Sequence, residues 1–142
     1  MRQSAKCWLN ISMSKLIDSN LIVRFLLQDN PVQSPLATRL LKNSEERFYL
    51  TDVVTAEVIW VLSSFYKIPR QEIIEKIYLL LALPTIESNR HILIRALYLY
   101  GNFNIAFIDT YLAAYSEEEK MEGIYSFDKG LDKIKEVKRF KP

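Results

Sequence analysis

Histidine, cysteine and glycine are all scarce in this chain, and each scarcity removes a class of chemistry. One histidine, His91, excludes a histidine-rich metal centre and argues against most schemes that need a histidine base. One cysteine, Cys7, leaves no internal disulfide, so the fold does not depend on an oxidising compartment. The three glycines, at 101, 123 and 130, provide no glycine-rich phosphate loop of either common kind. The longest apolar run near the middle, from Ile77 to Leu83, falls far short of the roughly 20 residues a membrane span needs. Repeats and low-complexity segments are absent too. The first twelve residues carry Arg2 and Lys6 but no apolar core of the secretory kind. They are expected to be a weakly ordered extension ahead of one domain over residues 13–142, in a cytoplasmic protein. The formal net charge of +2 neither demands nor opposes a nucleic-acid partner.

What is present begins at Leu16-Ile17-Asp18-Ser19-Asn20. A short apolar run ends on a carboxylate, two small polar residues follow, and Leu21, Ile22, Phe25 and Leu26 then recur at helical spacing. This is the opening of a strand–helix–strand unit, with Asp18 at the strand edge where open α/β sheets bind ligands. Asn30-Pro31 is expected to end the first helix. Pro35, Leu36, Leu40 and Leu41 mark a second helix ending near Asn43-Ser44. Arg47–Leu50 reads as a strand. Thr51 or Asp52 caps a helix from Val53 to about Phe65, with Val53, Ala56, Trp60 and Ser64 on one stripe and Glu57 on the same stripe beside Ala56.

Pro69 opens a helix from Arg70 to Leu83, stopped by Pro84. Thr85-Ile86-Glu87 reads as a brief strand, followed by a helix to Gly101-Asn102 capped by Ser88 or Asn89. Asn104 is the expected cap of a helix through Ala114 that carries Asp109. Ile124–Phe127 reads as a strand ending on Asp128, and Val137–Phe140 as a last edge strand. Helices alternating with short strands indicate an α/β sandwich with a mostly parallel central sheet flanked by helices.

In that architecture Asp18 and Asp128 end strands at one sheet edge, where the helices carrying Glu57 and Asp109 also begin. Four carboxylates are therefore expected to converge. Alone, each has a simpler reading: Asp18 and Asp128 as caps, Glu57 as a solvated rim residue. Together they repel one another, and a divalent cation relieves the conflict. All-oxygen ligands favour Mg²⁺ or Mn²⁺, which suits metal-assisted phosphodiester hydrolysis.

Four segments occur in an order and spacing that resemble a known family: Leu16-Ile17-Asp18-Ser19-Asn20, Thr55-Ala56-Glu57-Val58-Ile59-Trp60-Val61-Leu62, Phe107-Ile108-Asp109-Thr110-Tyr111-Leu112-Ala113-Ala114 and Tyr125-Ser126-Phe127-Asp128-Lys129. The chain resembles the PIN-domain proteins over about residues 14–140, specifically the VapC-type toxin ribonucleases of toxin–antitoxin pairs. The resemblance implies a PIN-like α/β/α sandwich, commonly a homodimer, with Asp18, Glu57, Asp109 and Asp128 as the acidic metal site of an endoribonuclease. Asn20, Thr55 and Ser126 would support that site by hydrogen bonds, and a cognate antitoxin protein would be a partner. One departure stands out: Ala106 occupies a position that is acidic in many relatives, which motivates the alternative of a catalytically weak or inactive PIN module binding RNA or a protein.

A phosphatase or a receiver domain fits less well. Asp18-Ser19-Asn20 lacks the second aspartate two residues on, and adjacent acidic residues after the first strand are missing. Arg24, one turn past the loop, is the single best cation for an RNA phosphate or an antitoxin's acidic group. The tail from Lys129 to Pro142 holds six basic and two acidic residues, either a phosphate guide or a solvated face. His91, near a helix start, reads as an exposed or capping side chain rather than a catalyst. Tyr78, Tyr98, Tyr100, Tyr111 and Tyr115 read as core or subunit contacts before RNA contacts. Ile73, Ile74, Ile77, Tyr78, Leu80 and Leu81 spread around their helix, which suggests burial on two sides and a subunit or antitoxin interface.

Overall fold

The computed structural model describes residues 14–142, so the expectation for residues 1–12 lies outside the described residues. Backbone contacts divide it into two compact units, one ending at Asn89 and one beginning at Arg90.

The first unit is built on three parallel strands in the order β1 (Lys15–Leu16), β2 (Phe48–Leu50), β3 (Ile86–Ser88). Leu16 pairs with Tyr49, and Leu50 with Ser88. Helices α1 (Ser19–Leu27) and α2 (Gln33–Asn43) connect β1 to β2, and α3 (Asp52–Trp60) and α4 (Arg70–Leu81) connect β2 to β3. Strands β1 and β2 are short because each yields at once to a capped helix. Asp18 Oδ1 accepts from the Leu21 amide (3.0 Å) and Thr51 Oγ1 from the Val54 amide (3.1 Å). The parallel sheet and its helices bear out the α/β reading.

Helix α1 stops before the expected Asn30-Pro31, because Asn30 is committed to the next helix. Its Oδ1 accepts from the Val32 and Gln33 amides (3.0 and 2.8 Å), which takes residues 28–30 out of helical geometry. Gln28 absorbs the reversal at φ 53°, its amide still bonded to the Arg24 carbonyl.

The stripe assigned to the helix after Thr51 is corrected. Its core face is Thr55, Val58, Ile59 and Leu62, all buried, whereas Val53 is 77% and Trp60 65% exposed. A segment apolar nearly all round has two candidate faces, and only packing selects one. Its last turn, Val61–Phe65, widens to a π-helix, with the Tyr66 amide bonded to the Val61 carbonyl at 3.2 Å. Helix α4 corrects a second expectation. Ile73, Ile74, Ile77, Leu80 and Leu81 are buried within this chain, leaving only Leu79 strongly exposed among its large apolar residues. The breadth of that apolar face is used up by the core and no longer argues for an interface.

The second unit contains α5 (Arg90–Asn102), α6 (Phe107–Glu118), and a two-stranded parallel sheet of β4 (Ile124–Tyr125) and β5 (Arg139–Phe140), with a 3₁₀ turn at Lys129–Lys133 between the strands. Helices α5 and α6 pack on each other. Rings of Tyr100, Phe107, Tyr111 and Tyr115 succeed one another at 5.7, 6.5 and 6.1 Å, so these tyrosines serve internal packing. Asn104 is not the cap expected for α6. The helix begins two residues later, and Ala106 occupies the cap position with no side chain to accept a hydrogen bond. His91 is exposed, as expected, with Nε2 3.0 Å from Glu118 Oε1.

Candidate functional site

In the first unit, Asp18 stands at the carboxyl end of β1, exposed, with Oδ1 engaged by the helix cap. It opens on a cleft of about 330 Å³ between α1 and α2, whose walls include Asn20, Arg24, Gln33, Leu36 and Leu40. Asn20 and Arg24 also line a second cleft of about 210 Å³ with Val61, Phe65 and Tyr66. Glu57 is exposed on the second turn of α3, and among the described residues its carboxylate makes no hydrogen bond. Thr55 is buried and donates to the Thr51 carbonyl at 2.9 Å, within its own helix. Its hydroxyl proton serves the backbone rather than a carboxylate.

Arg24 is held more firmly than the sequence suggests. Nη1 donates to Asp29 Oδ1 (2.8 Å) and Nη2 to the Tyr66 hydroxyl (2.7 Å). The Tyr66 hydrogen bond, ahead of the charge of Asp29, raises its pKa against the opposing effect of burial. The guanidinium is thus a fixed positive charge in the wall of both clefts. Sequence reasoning found Arg24 but missed Tyr66, 42 positions away, because only the π-turn after α3 brings that phenol round. Tyr66→Phe removes a partner from a half-buried guanidinium, and we expect it to lower stability by about 1 kcal/mol in chemical denaturation. An unchanged midpoint would show the bond to be dispensable.

In the second unit, two expected site residues do meet. Asp109 lies in the first turn of α6, half-buried, and the Asp128 side chain is within hydrogen-bonding reach. Burial first, then the charge and hydrogen bond of Asp128, push the Asp109 carboxyl above the usual carboxylate range. The helix N-terminus would favour the anion, and burial outweighs it. Asp128 is fixed from two sides: Oδ1 accepts from the Gly130 amide (2.8 Å), and its own amide donates to Ser126 Oγ (2.9 Å). Ser126 therefore supports the site through the backbone. Gly130 fits this turn closely, since a Cβ there would lie 2.9 Å from an Ile105 methyl and 3.0 Å from Asp128 Oδ1.

Among the described residues, no group of three or more His, Cys, Asp or Glu side chains is gathered as a metal cage. The paired carboxylates still fit a hard cation. Mg²⁺ is commonly held by one or two carboxylates, with water and substrate phosphate completing its shell.

Comparison with known proteins adds one finding. A family model described as the PIN domain matches residues 15–137 and runs through both units. No curated protein matches the chain.

Proposed function

We propose that this chain, which belongs to the PIN-domain family, is a Mg²⁺- or Mn²⁺-dependent endoribonuclease that hydrolyses RNA phosphodiester bonds. The family fold is of nuclease type, and the observation that carries the reading is the Asp109–Asp128 pair. Two neighbouring carboxylates, one half-buried and pushed above the usual carboxylate range, are an arrangement a divalent cation stabilises. For Asp18 and Glu57, in the first unit, a metal-ligand role comes from the family resemblance; both are exposed, and Asp18 spends only one carboxylate oxygen on its cap.

Bound there, the cation would polarise a phosphoryl oxygen and make a water nucleophilic at neutral pH. The chain's own residues do the rest. Asp128, fixed by Gly130 and Ser126, and Asp109, fixed by its helix, orient the ligand oxygens. Asn20 offers an exposed amide beside Asp18, and Arg24 a fixed positive charge beside the same cleft for a backbone phosphate.

Cleavage of a mixed tRNA and rRNA-fragment panel with Mg²⁺, Mn²⁺ or EDTA tests the reading. Fragments that disappear with EDTA are the expected outcome. Silence of the folded protein across the panel would favour the second reading, a PIN module that binds without cutting.

That second reading draws on Ala106. At the cap of α6 it supplies neither a carboxylate nor a hydrogen bond. Ala106→Ser should add only the cap, stabilising by about 0.5–2 kcal/mol. Ala106→Asp should add the cap and also tighten Mn²⁺ binding through a further carboxylate. Equal metal affinity in the two variants would show that position 106 lies outside the metal site.

The role of toxin, with an antitoxin and a second copy of the chain as partners in the cytoplasm, completes the proposal. Its support is the outward face of α3, where Val53 and Trp60 leave apolar area for a protein to cover. No helix among the described residues is long and apolar enough to cross a membrane.

A further inference from the structure

The second unit ends in a feature that carboxylate chemistry does not use. In the register of β4 and β5, Tyr125 lies opposite Phe140. Their ring centroids are 5.2 Å apart, and the Lys138 ammonium sits 4.8 Å from the centre of the Phe140 ring. Tyr125 is nevertheless 72% exposed, and Phe127, two residues on, is 82% exposed. These rings are not residues that failed to find a core. They stand on a braced support: Arg139 forks onto Asp132 (2.9 and 3.1 Å) and donates to the Ser126 carbonyl (2.9 Å). Binding at a braced surface loses little conformational entropy.

From Lys129 onward the segment carries six basic and two acidic residues. Lys129, Lys133, Lys135, Lys138 and Lys141 are all exposed. Lys129 lies near Asp132, and the other four form no ion pair among the described residues. Arg139 is consumed by its fork, so the lysines are the cations left to meet a ligand. Open π-faces among flexible ammonium groups match a ligand with flat unsaturated rings and a repeating negative charge. An unpaired nucleotide strand has both, whereas a duplex hides its base faces in the stack.

We propose that Tyr125 and Phe127, backed by Phe140 and Lys138, form a stacking site for unpaired bases of single-stranded RNA. The inference rests on the ribonuclease reading for the choice of RNA and adds to it the side chains that would hold an unpaired base. Phe127 directly precedes Asp128, so a base held there sits one residue along the chain from the carboxylate pair.

Binding in EDTA tests the site without cleavage. Fluorescence anisotropy with the full-length protein would compare a short unstructured oligoribonucleotide with a blunt duplex of the same sequence. Tyr125→Leu and Phe127→Leu should each raise the Kd for the single strand about tenfold, as expected when one base–aromatic stack is lost. Tyr125→Phe keeps the ring and should keep the affinity, which separates stacking from general damage to the sheet. Lys138→Gln should flatten the logarithmic salt dependence by about 0.7, one phosphate contact on a single strand.

Wild-type affinity in both leucine variants would overturn the site and leave the rings as a surface for a protein. Equal affinity for the duplex would overturn it as well. The nuclease reading fails separately: ring-dependent binding without metal-dependent cleavage removes the enzyme and retains the stacking site. Cleavage with ring-independent binding does the reverse.

Discussion

Asp109→Asn is expected to abolish RNA cleavage and, without metal, to make the protein more stable at neutral pH. The loss should exceed about a hundredfold, since even outer-shell partners of metal ligands cost 10–100-fold when removed. The gain follows from linkage. Burial and Asp128 raise the folded-state pKa of Asp109 above its unfolded value. The folded protein therefore holds that proton more tightly, and stability falls as pH rises from the unfolded pKa through the folded one. Above the folded pKa the wild type bears this penalty in full. Asparagine keeps the shape, removes the charge and escapes it.

Melting curves across the acid range should show the wild type losing ground to the variant as pH rises, with the difference levelling off once Asp109 is ionised. Added Mg²⁺ should then raise the Tm of the wild type more than that of the variant, because a ligand stabilises only the state that binds it. Parallel melting curves at every pH would mean that the Asp109–Asp128 contact carries no free energy. Undiminished cleavage would remove Asp109 from the mechanism.

Gly123→Ala is expected to be the most damaging conservative change in the second unit. A Cβ at this position would lie 2.3 Å from the Lys138 carbonyl oxygen and 2.8 Å from the Phe140 ring. The first obstacle is backbone, which cannot rotate aside, so β4 and β5 must separate. Overpacking of this kind costs about 1–3 kcal/mol. Hydrogen exchange should locate the damage. The Ile124 amide donates to the Lys138 carbonyl (2.9 Å) and the Ser126 amide to the Phe140 carbonyl (3.1 Å), so both should lose protection first. Protection equal to wild type at both amides would mean that the strands accommodate the methyl group. Ser126 also holds the Asp128 amide, so cleavage should weaken along with the sheet.

In α3 the start was legible in the sequence and the buried face was not. Thr51 was legible as a cap and Asp18 as a strand-end carboxylate, because caps and strand ends are set by residues within three positions of one another. Parallel strands alternating with helices were legible for the same local reason. The buried face of α3 was not: with apolar residues on nearly every side, its orientation depends on which neighbours it meets. Ala106 at the α6 cap, in place of Asn104, was equally out of reach. Phe107 is buried against the Tyr100 ring, and that packing sets where the helix begins.

The candidate site divides in the same way. Asp18, Glu57, Asp109 and Asp128 could be picked out by residue type, turn position and order along the chain. That Asp128 comes near enough to Asp109 to raise its pKa, that Tyr66 and Asp29 hold Arg24, and that Tyr125 and Phe140 face each other under Lys138 are long-range facts decided by folding. By itself the sequence determined the chemistry available to this protein, because charge, capping and periodicity are local properties. Only the tertiary structure decided which of those groups meet and which rings remain in solvent, because burial and contact depend on what distant segments bring to the same place.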